Sequence, residues 1–162
     1  MPPAPPTSVS ARSASPDVTA LCPVYQPRRS SRLARLAGAS LAGIAAAGAS
    51  APWEQRWLLP LAVAALVLLL QRVSLRQGFL LGLLFGLGYT LVLTVWMRAV
   101  GTDAWLLISP VVAAYYALAG VGIALVGRLR GWPWWTACVW VAVETAMSTW
   151  PLGGFPWTRL AW

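Results

Sequence analysis

The chain has 162 residues, enough for one domain of ordinary size. It is 59% hydrophobic and 10% charged, with 12 arginines, no lysine, no histidine and four acids, for a net charge of +8. Soluble domains run at about 45–50% apolar and about 25% charged, so this chain has too few polar residues to coat a water-soluble globule. The composition also excludes histidine-ligated metal, histidine acid–base chemistry and any lysine base or Schiff base. The arginines sit between long apolar runs rather than along one basic stripe, so the charge reads as that of a membrane protein and not of a nucleic-acid binder.

Residues 1–32 are rich in Pro, Ser, Ala and Arg and poor in large apolar residues. They read as a disordered, cytoplasmic tail. The first apolar run, 33–51, follows a cluster of arginines and carries Gly38, Gly43 and Gly48 among many alanines. It starts too far from the N-terminus for a cleaved secretory signal and reads as a retained helix. The next run, 53–71, has Pro60 near its start. The third, 77–97, has Gly78, Gly82 and Gly86 at every fourth position, which places all three on one helix face and suits close packing against a second backbone. The fourth, 104–127, holds Pro110, Tyr115 and Tyr116; the fifth is 133–150. A helix needs about 20 residues to cross some 30 Å of hydrocarbon. The fold class is therefore an all-α membrane protein of about five transmembrane helices, spanning 33–151.

With the N-terminus inside, nine arginines (Arg12, Arg28, Arg29, Arg32, Arg35, Arg72, Arg76, Arg128, Arg130) fall on the cytoplasmic side and three (Arg56, Arg98, Arg159) on the other. That asymmetry predicts N-in and, after five crossings, C-out. Most of the 11 tryptophans lie near run ends, where amphipathic rings favour the interface.

Glu144 is the one acid well inside an expected span. A carboxylate there is expensive, so it is a functional candidate, with Arg98 or a helix hydroxyl as its structural partner. Residues 152–162 follow as a Pro- and Gly-broken stretch that includes Gly154, Phe155, Pro156, Trp157 and Arg159. No catalytic residue, metal site or cofactor is expected: no nucleophile has a base, and no Gly-rich phosphate loop joins a strand to a helix.

Glu144 followed ten residues later by Gly154-Phe155-Pro156-Trp157, with Ala51-Pro52-Trp53 and Arg76-Gln77-Gly78-Phe79 upstream, resembles the N-terminal membrane region of apolipoprotein N-acyltransferases, actinobacterial members above all. One departure is that the family's Arg three or four residues after the Glu is Met147 or Ser148 here. The resemblance implies transfer of an acyl chain from membrane phospholipid to the N-terminal diacylglyceryl-cysteine of an apolipoprotein, at the bacterial cell membrane. It also implies that the chemistry belongs to an extracytoplasmic nitrilase-like domain with a Glu-Lys-Cys triad. That domain is absent from these residues, so they are expected to be inactive alone. The alternatives are a non-catalytic anchor for a polyprenol-phosphate mannosyltransferase, making a glycosyltransferase the partner, and an unrelated small scaffold or transporter.

Overall fold

The computed structural model describes Met1, residues 29–50 and residues 53–150. Among these the chain forms five α-helices and one 3₁₀ turn, with no strand. The helices are α1 (Arg29–Ala47), α2 (Leu58–Leu69), α3 (Leu75–Leu93), α4 (Thr102–Val126) and α5 (Trp132–Thr149); the 3₁₀ turn is Val95–Ala99. Most of the expected tail and all of 151–162 lie outside the described residues.

Several boundaries differ from the sequence expectation: α1 stops at Ala47 rather than 51, and α3 stops at Leu93 rather than 97, where the 3₁₀ turn takes over. α1 begins at Arg29, inside the expected tail, because the Arg, Leu and Ala of its first turns are good helix formers. The second run, expected from 53, does not turn helical until Leu58. Trp53, Glu54, Gln55, Arg56 and Trp57 form a polar turn instead, with Glu54 in the left-handed region at φ 49° and Gln55 N–H donating to Gly48 O at 3.1 Å. α2 is thus 12 residues, about 18 Å long. α3 starts at Leu75 because Ser74 caps it: its hydroxyl accepts from Gln77 N–H while Gln77 Oε1 accepts from Ser74 N–H, a complete capping box.

Length and apolar composition qualify α3 and α4 to cross a membrane. α1 and α5 are shorter of apolar residues, α1 through its arginines and small residues and α5 through its Trp, Thr and Glu content. Successive helices run antiparallel, so the ends of α1, α3 and α5 meet the starts of α2 and α4 at one end of the bundle. That end carries Glu54, Asp103 and Glu144 with Arg56 and Arg98; the opposite end carries Arg32, Arg35, Arg72, Arg76, Arg128 and Arg130.

α3 is the centre. It packs most intimately on α4 and next on α1; α2 lies against α1, and α5 against α4. The reason is glycine. A Cβ on Gly82 would collide with Tyr116 O, and one on Gly78 would come within 2.8 Å of Gly120 O. On the other side, Gly88 approaches Ser40 O to 2.6 Å by the same measure, and Gly43 meets Phe85 O. Helices this close gain dispersion contact along their whole backbones, which is how helices associate where no water is expelled. The rings of Phe85, Tyr89 and Tyr116 fill the space beside the seam, edge to face, with Phe85–Tyr116 and Tyr89–Tyr116 centroids both at 5.7 Å.

Candidate functional site

Below the Glu54 end of the bundle, the α3–α4 seam turns polar. Thr90 Oγ1 lies 2.7 Å from Gly86 O and 3.2 Å from Ser109 O, sharing its one proton between its own helix and its neighbour. Thr94 Oγ1 donates to Thr90 O at 2.6 Å and sits 3.4 Å from Ser109 Oγ. Trp105 Nε1 donates across the same seam to Leu91 O at 3.3 Å. Thr90, Thr94 and Ser109 are fully buried, and each hydroxyl satisfies itself on a backbone carbonyl, which keeps the burial cheap.

One layer toward the middle of the bundle lies Glu144, on α5 and half-buried. It stands six residues before Trp150, roughly 9 Å along the helix. Its carboxylate lies near the side chains of Tyr89 on α3 and Tyr116 on α4. Ser50, just past α1, lies beside the Tyr89 hydroxyl. Trp140, one turn before Glu144, stacks obliquely on Tyr116 at 6.0 Å and edge-on to Phe85 at 6.4 Å. Three helices therefore contribute to one cluster: a carboxylate and a tryptophan from α5, and one buried phenol each from α3 and α4. Of the partners expected for Glu144, Arg98 is engaged elsewhere. It lies over the Trp105 ring, 5.4 Å from its centroid, as a cation–π pair.

Tyr115, adjacent to Tyr116, points another way. Its hydroxyl donates to Trp150 O at 2.7 Å, fastening the last turn of α5 to the middle of α4. Residues 151–162 continue from that fastened turn. The candidates Gly154, Phe155, Pro156, Trp157 and Arg159 lie outside the described residues; Gly78, Gly82 and Gly86 lie on the α3–α4 seam, away from Glu144's own helix.

The cluster joins a half-buried carboxylate to two buried phenols. It has no nucleophile of its own. Among the described residues no three His, Cys, Asp or Glu side chains gather as metal ligands, and Cys138 is exposed on α5. The residues missed from the sequence are Tyr89, Tyr116 and Ser50. A tyrosine inside an apolar span is a visible signal, since its hydroxyl needs a partner when buried.

Residues 42–162 match the family described as the apolipoprotein N-acyltransferase N-terminal domain. The apolipoprotein N-acyltransferase of Chromobacterium violaceum is 35% identical over 135 residues, which cover 75% of this chain and 26% of that protein. The chain thus spans about a quarter of the length of this curated relative. No solved structure matches. Matched to that domain from Ala42 to Trp162, the chain belongs to the apolipoprotein N-acyltransferase family and carries its N-terminal region.

Proposed function

We propose that residues 33–151 are a five-helix platform in the bacterial cell membrane that holds phospholipid donor and apolipoprotein acceptor beside an extracytoplasmic catalytic part of the enzyme. The observation that carries this reading is the family match over 42–162. The arginine asymmetry supports an N-terminus in the cytoplasm, with residues 1–32 as a tail there and residues 152–162 as a loop outside. Apolar α3 and α4 support the membrane setting. The family match and the relative favour the acyltransferase over a glycosyltransferase anchor.

In this reading Glu144 stabilises the outer end of the bundle through the Tyr89 and Tyr116 hydroxyls. The loop rests at headgroup level: Trp157 offers a rigid ring there, Pro156 fixes the turn after Gly154 and Phe155, and Arg159 meets a phosphate in a two-pronged manner. Residues 1–162 contain no lysine, so a Glu-Lys-Cys triad cannot be assembled from them. These residues alone transfer no acyl group.

Two measurements test the proposal. A reporter active only outside the cytoplasm is active when fused after Trp162 and silent after Arg130; the reverse pattern sinks the orientation. The purified chain, given phospholipid and a diacylated lipopeptide, yields no triacylated product and no thioester on Cys138. Either product would overturn the assignment of chemistry to another part of the enzyme.

A further inference from the structure

At the arginine-rich end, far from Glu144, the first turns of α1 and the start of α3 enclose a cavity of about 220 Å³. Arg32, Arg35, Leu36, Gln77, Leu80 and Leu81 line it. Arg32 and Arg35 are three residues apart on α1 and so share a face. Both are exposed, with stems along the apolar lining and guanidinium groups free to swing to the rim. Gln77 Oε1 accepts from Ser74 N–H, which leaves the Nε2 donors as the amide's remaining polar group at the lining. Leu80 is 48% exposed, at the side of the bundle rather than its end. Among the described residues no acid lines the cavity, and Glu54, Asp103 and Glu144 all lie toward the other end.

We propose that this cavity is a binding site for the phosphate headgroup of an anionic phospholipid in the cytoplasmic leaflet. The chemistry is a phosphodiester held by two guanidinium forks and one amide, with the acyl chains leaving sideways over Leu80. Guanidinium matches phosphate oxygens two at a time, which lysine cannot do. The volume lies below the roughly 300–1,000 Å³ that encloses a drug-sized ligand, so it suits a small polar head whose tails stay in the bilayer. Basic residues at a cytoplasmic helix end already attract anionic lipid; the cavity adds shape to that attraction. The site depends on the bundle's lying in a membrane and not on acyl transfer, whose machinery is placed at the opposite end.

The test measures lipid retention by the full chain released from membranes, using native mass spectrometry with phosphatidylglycerol, phosphatidylcholine or inorganic phosphate as probe. The wild type retains phosphatidylglycerol over phosphatidylcholine, and inorganic phosphate at equal concentration does not displace it. Arg32→Gln with Arg35→Gln lowers that retention at least about tenfold, as expected for two lost charge-assisted contacts. Arg128→Gln with Arg130→Gln, which removes equal charge from the same end, leaves it unchanged. Arg32→Lys with Arg35→Lys keeps charge and topology and still loses retention several-fold, which covers the case in which the glutamine pair fails to insert. Equal retention of the two lipids, equal loss in both glutamine pairs, no loss in the lysine pair, or displacement by inorganic phosphate would each overturn the proposal.

Discussion

Replacing Gly86 with alanine would set a methyl carbon 2.8 Å from Ala113 Cα, 2.9 Å from Tyr116 Cβ and 3.0 Å from Ala113 O. Two of these three atoms are backbone and the third is fixed to it, so no rotamer change relieves the contact. Ordinary contact begins at 3.4 Å, so α4 must retreat from α3 by about 0.6 Å in an interior packed like a crystal. The same retreat stretches the Thr90 Oγ1–Ser109 O bond from 3.2 Å to about 3.8 Å, past useful hydrogen-bond length. Overpacking typically costs about 1–3 kcal/mol, and a backbone-to-backbone collision belongs at the upper end. Alanine's better helix propensity returns about 1 kcal/mol. The net is a destabilisation of about 2 kcal/mol, near thirtyfold in the unfolding equilibrium. Denaturation of the purified chain in a mild detergent, followed by circular dichroism, reads this directly. Gly101→Ala is the control: nothing lies within 4 Å of a Cβ there, and its φ of 170° is extended backbone. A Gly86→Ala variant as stable as the wild type, or shifted no further than Gly101→Ala, would refute the seam as the organising contact.

Tyr115→Phe removes the 2.7 Å bond to Trp150 O; it should cost about 1 kcal/mol and speed amide exchange in the last turn of α5, with α3 unaffected. Ser74→Ala breaks the α3 capping box and should cost about 1 kcal/mol, read as a lower thermal midpoint. In the full-length enzyme, Glu144→Gln and Trp157→Ala should each lower N-acylation at unchanged protein levels, while Cys138→Ser, on an exposed α5 position, should not. Wild-type activity in both test variants would reduce the cluster and the loop to connectors.

The number of helices was legible in the apolar runs, and α3 and α4 most clearly, because both have span length and uninterrupted apolar composition. The start of α2 is not written in hydropathy: the turn over 53–57 depends on Glu54 adopting a left-handed φ, which side-chain composition does not encode. The true start of α3 was written in Ser74 and Gln77, a capping signal at fixed spacing. The surroundings of Glu144 were not legible. Tyr89 and Tyr116 lie on other helices, and periodicity says which face a residue occupies but not which neighbour faces it. Tyr115 and Tyr116 illustrate the limit: adjacent in sequence, one serves the Glu144 cluster and the other ties down α5.

Glycine is the smallest residue, and every single-base change in a glycine codon that alters the residue makes it larger. At Gly43, Gly78, Gly82, Gly86, Gly88 and Gly120 the space for a methyl group is already taken by a backbone or side-chain atom of the facing helix. These positions have no neighbouring sequence that is sterically neutral, whatever the chemistry of the newcomer. The outward faces of the same helices, where Leu106, Leu107 and Leu118 are exposed, accept one apolar residue for another freely. Inheritance of this bundle is therefore strict along the two seams of α3 and loose around them, so variation among natural copies should concentrate on the circumference while the seams change only in compensated pairs.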